Sequence, residues 1–210
     1  MNLDYKLSYL SDEEKLNVFT HFPFIFISLL GNVILLNSID ELYKFIFHAI
    51  YSFSLTFMFI ASSIYHLSIG LKKKRWKKLD HISIYLLIAG SYTPVCFIAI
   101  SEYLGVYILI VIWSLALLGI ILKILFIERY QTLSLVLYLI MGWLIVIDIE
   151  IIFKLFSFNQ LFLLIIGGLF YTTGVLFYKL DNLKYNHAIW HLFVVLGSLC
   201  HCRALMCALS

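Results

Sequence analysis

The sequence predicts an all-α membrane protein, a seven-transmembrane helix bundle with its N-terminus in the cytoplasm and its C-terminus outside. Three observations support this fold class: an apolar composition, seven long apolar runs and an uneven distribution of Lys and Arg. Hydrophobic residues make up 63% of the 210 residues and charged residues 13%, whereas a soluble domain has about 25% charged residues. Because so few charges cannot cover a surface in water, the bilayer is the predicted solvent.

The seven apolar runs are the predicted transmembrane helices, since about 20 helical residues cross roughly 30 Å of hydrocarbon. The first run is short and requires tilt or local thinning of the bilayer. Strands of a membrane barrel would alternate apolar and polar residues, but these runs are continuous, which favours helices. We expect a single domain, residues 1–210, in which residues 1–20 form a short cytoplasmic segment. The predicted spans are 22–37, 42–70, 79–100, 103–126, 132–153, 160–178 and 187–209.

Lys and Arg determine the predicted orientation, because positively charged loops are retained in the cytoplasm. If the N-terminus is inside, all but three of the 15 basic residues fall on the inner side, and the three exceptions are Lys44, Lys154 and Arg203. The densest basic cluster, residues 72–78, is interpreted as the loop between the second and third spans. The net charge of +3 is small, so we expect membrane lipids and no nucleic acid as partners.

Histidines concentrate at the predicted cytoplasmic ends of the spans. His187 and His191 are four residues apart, which places both imidazoles on one face of a helix, about 6 Å from each other. His66, near the inner end of the second span, lies at a matching depth. Three neutral imidazoles with an open fourth position are the ligand set of a catalytic zinc site. The alternative is three interfacial histidines that face lipid headgroups. His21 and His81 fall at the same end.

Two further polar residues accompany this histidine cluster. Asp80 opens the third span, where it could orient or deprotonate a zinc-bound water, or simply anchor the helix end against Lys77 and Lys78. Ser62 lies one turn deeper than His66 on the same helical face. Its hydroxyl could bond a metal-bound water or a substrate carbonyl, and the alternative is a hydrogen bond back to its own helix.

Five segments, taken together in their order and spacing, indicate a family. The chain resembles the hemolysin III family, the bacterial branch of the superfamily that includes the adiponectin and progestin receptors. This resemblance implies a seven-helix bundle that holds zinc through His66, His187 and His191 near the cytoplasmic face, with Asp80 and Ser62 beside the metal-bound water. The segments are residues 13–21 (EEKLNVFTH), 62–66 (SSIYH), 79–94 (LDHISIYLLIAGSYTP), 141–143 (MGW) and 187–201 (HAIWHLFVVLGSLCH).

The resemblance, which extends to alkaline ceramidases, implies a zinc-dependent hydrolase of the bacterial plasma membrane. Its substrate would be a lipid amide or related lipid in an intramembrane cavity open toward the cytoplasm, with Asp80 accepting a proton and Ser62 stabilising the oxyanion. Two alternatives stay open. A pore-forming protein is disfavoured as a monomer, because polar residues concentrate at one end. A non-catalytic sensor of membrane composition would use zinc only to join the second and seventh spans.

Overall fold

The computed structural model describes residues 8–98 and 103–207, and in this part of the chain every regular element is helical. Residues 1–7 of the expected N-terminal segment, and residues 99–100 and 208–209 of the predicted third and seventh spans, lie outside the described residues. The helices are α1 (Asp12–Asn37), α2 (Leu42–Leu67), α3 (Gly70–Ile98), α4 (Tyr103–Phe126), α5 (Gln131–Trp143), α6 (Ile149–Leu155), α7 (Phe158–Tyr178) and α8 (Asn186–Cys207), with a 3-10 segment (Leu144–Asp148) between α5 and α6.

Five of the described helices are long and apolar enough to cross a membrane, which confirms an all-helical membrane protein. Their outer surfaces carry large apolar side chains in the way that lipid contact requires: Leu30, Leu125 and Leu176 are each more than half exposed. A shorter apolar stretch covers α5 and part of the 3-10 segment. The five helices are Asp12–Asn37, Leu42–Leu67, Leu104–Phe126, Phe158–Tyr178 and Asn186–Met206.

The first helix begins ten residues before the predicted first span. Ser11 caps it, because its side chain accepts a hydrogen bond from the Glu14 backbone N–H at 3.3 Å. Acidic residues in the first turn, Asp12 and Glu13 among them, favour the positive end of the helix dipole. The apolar pattern alone does not show this start, because residues 12–20 are mostly polar yet still helical. The extension places a polar helical face beside the histidine cluster.

The basic cluster of residues 72–78 is helical and does not form a loop. α3 begins at Gly70, so only Ser68 and Ile69 separate it from α2. Gly70 has φ +60°, a left-handed conformation that glycine adopts without steric penalty, and it lets the chain reverse in this short connection. The basic residues therefore project from the first turns of α3, next to the end of α2.

The predicted fifth span, 132–153, is interrupted by the 3-10 segment. The Tyr92 hydroxyl of α3 accepts a hydrogen bond from the Ile145 backbone N–H at 2.9 Å and donates one to the Gly142 carbonyl at 3.1 Å. A side chain inserted into the backbone ladder in this way changes the helical winding locally. The hydroxyl thus replaces backbone hydrogen bonds at the break and joins α3 to α5.

Packing between neighbouring helices closes the bundle. α1 to α4 pack in chain order, α7 packs on α8, and α1 also contacts α8. The start of α1, the end of α2 and the starts of α3 and α8 therefore meet at one end of the molecule, which we call the histidine end. There Lys77 of α3 pairs with Glu128 at 2.9 Å, and this hydrogen bond holds the pKa of Glu128 below its ordinary value.

A buried polar network fixes the register of α1 against α2. The Asn32 side-chain amide donates to the Ser52 carbonyl at 3.0 Å and to the Thr56 hydroxyl at 2.8 Å. Ser28 lies 3.1 Å from the same hydroxyl. Polar side chains that hydrogen-bond between helices stabilise packing in membranes, where apolar contact with lipid gives little preference. This register aligns the start of α1 with the end of α2.

Candidate metal centre

Three imidazoles meet at the histidine end, where α2 ends and α8 begins. One nitrogen from each of His66, His187 and His191 lies within 4.8 Å of the others. The ring centroid of His66 is 5.0 Å from those of both other histidines, which are 4.7 Å apart. Within the described residues, this is the one group of three or more such side chains that could hold a metal ion. The structure thus brings the three predicted ligands together.

The orientation of His66 is fixed by α1. His66 is 2% exposed, and its Nδ1–H donates to the Glu14 carboxylate at 2.6 Å. Glu14 also pairs with Lys73 of α3. The other ring nitrogen, His66 Nε2, is buried and has no hydrogen-bond partner among the described residues. A carboxylate that holds one imidazole nitrogen and leaves the other free is the usual outer partner of a metal-bound histidine.

His191 is oriented in the same way by a different part of α1. Its Nδ1 lies 3.0 Å from the Thr20 hydroxyl and 3.2 Å from the Asn17 carbonyl. Because the Thr20 hydroxyl hydrogen is donated to that carbonyl at 2.8 Å, the Thr20 oxygen accepts from Nδ1–H, which leaves Nε2 as the lone-pair nitrogen. The ring of His21 stacks on His191 with centroids 3.8 Å apart and holds the imidazole plane.

The donor set fits a metal ion on chemical grounds. Imidazole is a ligand for zinc, copper, nickel and iron, and the buried, unpartnered His66 Nε2 would otherwise carry a desolvation penalty. A tetrahedral site with bonds of about 2.0–2.1 Å separates ligand nitrogens by roughly 3.4 Å. Because the ligand nitrogens are now within 4.8 Å of one another, each pair would have to approach by at most about 1.4 Å to reach this spacing.

Asp80 lies at the same end, on the first half of α3. It is 8% exposed and lies in the wall of the same cavity as His187 and His191. The predicted alternative, an ion pair with Lys77 or Lys78, is not formed: Lys77 pairs with Glu128, and Lys78 donates to the Ile124 carbonyl at 2.8 Å. The nearest basic partner of Asp80 is His81, at 3.5 Å.

Ser62 is buried behind His21 and does not bond back to its own helix among the described contacts. Its hydroxyl lies 2.9 Å from His21 Nδ1. His21 Nε2 is buried without a hydrogen-bond partner in the described residues, and His21 lines a cavity between the helices. Ser62 is absent from that lining. The predicted contact of Ser62 with a ligand is therefore replaced by a contact through His21.

The cavity beside the histidines has a volume of about 110 Å³. Asp80 and two of the candidate ligands, His187 and His191, lie in its wall. Along α8 the lining runs from His187 to His201, a distance of roughly 21 Å at 1.5 Å per residue. This length exceeds the roughly 15 Å depth of one leaflet of hydrocarbon. Most of the remaining wall is apolar, from residues such as Ile84, Leu87, Ile88, Leu135, Leu139 and Val194.

The sequence of this chain matches a known protein family over most of its length. A family model described as "Haemolysin-III related" matches residues 9–202, a range that includes every residue of the candidate metal centre. The chain belongs to the hemolysin III family. "Hemolysin-3" of Bacillus cereus is 42% identical over 151 residues, which cover 71% of this chain and 68% of that protein.

Two further relatives extend over more of this hemolysin III family member. "Hemolysin-3 homolog" of Bacillus subtilis (strain 168) is 36% identical over 191 residues, 89% of each chain. The human "Monocyte to macrophage differentiation factor" is 30% identical over 201 residues, 92% of this chain and 83% of that protein. Family membership and the five apolar helices make this chain an integral membrane protein, and the Bacillus relatives are consistent with a bacterial membrane.

Three residues of this hemolysin III centre were not assigned a role from the sequence: Glu14, Asn17 and Thr20. Glu14, Asn17 and His21 follow each other at intervals of three and four residues, which places them on one helical face. A polar stripe of this kind in front of an apolar run is the sequence feature that indicates a polar helical extension of the first span. Because the apolar run begins only at residue 22, residues 1–20 are predicted as a segment before the first helix, and this stripe is not predicted to be helical.

Proposed function

We propose that this hemolysin III family member is a zinc-dependent hydrolase that cleaves a lipid amide inside the membrane. The observation that carries the proposal is the convergence of His66, His187 and His191, the last two of which lie in the wall of an apolar cavity long enough for an acyl chain. A metal centre that only joined helices would not need such a cavity. An apolar cavity with a few convergent polar groups is typical of a small-molecule site.

The proposed bundle has seven spans and forms one domain, with the N-terminus in the cytoplasm. α5, the 3-10 segment and α6 together make the fifth span, and α3 makes the third span in spite of its basic first turns. The uneven distribution of Lys and Arg supports this orientation, which puts the histidine end at the inner face of the bacterial plasma membrane. The lipid substrate would then enter the cavity near the inner leaflet.

Zinc is the proposed metal, held by the three imidazoles, with His66 and His191 binding through the Nε2 atoms that their contacts with α1 leave free. When bound, zinc would polarise a carbonyl and lower the pKa of a coordinated water from about 15.7 to near 7. The remaining chemistry belongs to side chains of the protein. Asp80 is buried, unpaired with lysine and faces the cavity, so we assign it the role of general base.

The proposed reaction is hydrolysis of an amide. Water adds to the carbonyl carbon, Asp80 accepts the proton released by that water, and the carbon–nitrogen bond breaks as the proton is delivered to the leaving amine. The oxyanion is stabilised by Ser62 acting with His21. When the Ser62 hydroxyl donates to His21 Nδ1 at 2.9 Å, the proton of the neutral ring lies on Nε2, which is available to donate to the developing oxyanion.

Metal analysis and lipid product analysis of purified protein test this proposal together. We expect about one zinc per chain in the wild type and its loss in His66→Ala, His187→Ala and His191→Ala. When ceramides and phospholipids are offered, an amide-linked lipid such as a ceramide should release a fatty acid and an amine. Asp80→Asn should keep the metal and lose at least about a hundredfold in turnover. Full turnover by Asp80→Asn, or no lipid product from the zinc-loaded wild type, would contradict the hydrolase.

A second candidate function follows from the printed name of the Bacillus relatives, "Hemolysin-3" and its homolog. An oligomeric pore would conduct ions across a planar bilayer, and that conductance would survive His66→Ala because it needs no metal. A membrane sensor is separated from the hydrolase by Asp80→Asn, which would leave sensing and metal content unchanged.

A further inference from the structure

A buried lysine faces the internal cavity without a counter-ion. Lys123, near the end of α4, is 2% exposed and lines the cavity that also contains Asp80, His187 and His191. Among the contacts of the described residues, its amine has neither a salt bridge nor a hydrogen bond. A buried ammonium without a partner is strongly unfavourable, so a position of this kind indicates a ligand that supplies the missing negative charge.

The charged residues around Lys123 do not supply the missing negative charge. The acidic residue that follows Lys123 along the chain is Glu128, and its carboxylate is already bound by Lys77 at 2.9 and 3.1 Å. The second lysine adds positive charge. The neighbouring lining residues, Gln131 and Ser134, are uncharged. On this side of the apolar cavity, the Lys123 amine is therefore a charge without a counter-ion.

We propose that Lys123 binds the anionic headgroup, a phosphate or a carboxylate, of a single-chain amphiphile whose chain occupies the apolar cavity. The inference deepens the proposed function and rests on it for the assignment as substrate: the cleaved lipid would be an acyl amide that carries an anionic group. Asp80 in the same cavity repels anions, which favours a headgroup bound on the side of α4. Charge-assisted hydrogen bonds of lysine to phosphate are among the stronger polar contacts in proteins.

The test is equilibrium binding without turnover. Trp143 and Trp190 line the cavity, so a brominated chain bound there should quench their fluorescence. We would titrate 11-bromoundecyl phosphate and 11-bromoundecanol into detergent-purified protein with a chelator present, so that no metal can bind the phosphate. The concentration of the phosphate that gives half-maximal quenching should be about tenfold lower for the wild type than for Lys123→Met. The alcohol should bind both proteins equally, and Lys123→Arg should retain the preference for phosphate.

The matched control is Lys179→Met, which removes an exposed lysine of the same end of the bundle and should bind like the wild type.

Lys123→Met should also unfold at a higher temperature than the wild type, because it removes an unpaired buried charge. An unchanged phosphate preference in Lys123→Met, or a lower unfolding temperature, would overturn the proposal. Displacement of the probe by equimolar inorganic phosphate would assign the site to free anions and overturn the lipid assignment. None of these results depends on hydrolysis, so the two proposals can fail separately.

Discussion

Glu14 is the residue through which α1 controls the candidate metal centre. Its carboxylate accepts from His66 Nδ1–H at 2.6 Å and also pairs with Lys73. We predict that Glu14→Gln weakens zinc affinity by about 10–100-fold, because the imidazole loses the partner that fixes its tautomer and raises its basicity. Competition with a chromogenic chelator measures this affinity in the purified protein.

Glu13→Gln is the control for that measurement, since Glu13 is exposed one residue away on the same helix and carries the same charge. It should bind zinc like the wild type. Equal affinity in the Glu13 and Glu14 variants would show that the carboxylate contributes only overall charge. Glu14→Asp, whose shorter side chain keeps the charge, should fall between the wild type and Glu14→Gln.

The three candidate ligands could be predicted from the sequence, whereas their partners could not. The spacing of His187 and His191 predicts that they share one face of a helix. The distance of His66 from the end of its span predicts that it lies at the same depth in the membrane. The contacts of Asn17 and Ser62 depend on the rotation of α1 against α2 and α8, which the buried network around Asn32 determines. Spacing within one helix contains no information on that rotation.

At the scale of helices, the least regular element is the break between α5 and α6, and it depends on one hydroxyl. Tyr92→Phe removes the acceptor of the Ile145 N–H and the donor to the Gly142 carbonyl. We predict a loss of about 1–3 kcal/mol in the free energy of unfolding, the cost of leaving a buried polar group without a partner. Unfolding in detergent, followed by helical circular dichroism, measures the change.

Tyr107→Phe provides the comparison, because Tyr107 is 63% exposed on α4 and should lose less than about 0.5 kcal/mol. If the two variants unfold alike, the hydroxyl of Tyr92 does not stabilise the break.

The apolar run 132–153 predicted an unbroken helix because composition cannot show a side chain from another helix that enters the backbone ladder. The extents of α2 and α4 were predicted to within a few residues, since polar residues mark their ends.

At the scale of the molecule, the metal would connect helices from the two ends of the chain. We predict that a chelator lowers the unfolding temperature of zinc-loaded wild type and leaves His66→Ala unchanged. A ligand at 100 times its dissociation constant stabilises the folded state by about 2.7 kcal/mol. Differential scanning fluorimetry with and without the chelator checks this, and an equal shift in both proteins would place the metal elsewhere.

The proposed orientation predicts which connections face the cytoplasm. A cysteine introduced at Glu41, between α1 and α2, should react with a membrane-impermeant thiol reagent in intact cells. A cysteine at Asp181, between α7 and α8, should react only after the membrane is permeabilised. The unsubstituted protein is the blank for its native cysteines. The reverse pattern would contradict the cytoplasmic N-terminus, and labelling of both sites in intact cells would contradict an odd number of spans between them.

The separation of the ligands along the chain has a consequence for biosynthesis. His66 leaves the ribosome more than a hundred residues before His187, so the early part of the nascent chain can form the contacts of α1 with α2 but cannot chelate an ion. Metal capture must wait until the last helix has been released by the translocon and has docked against α1. Incorporation of metal would then report that assembly in the membrane is complete.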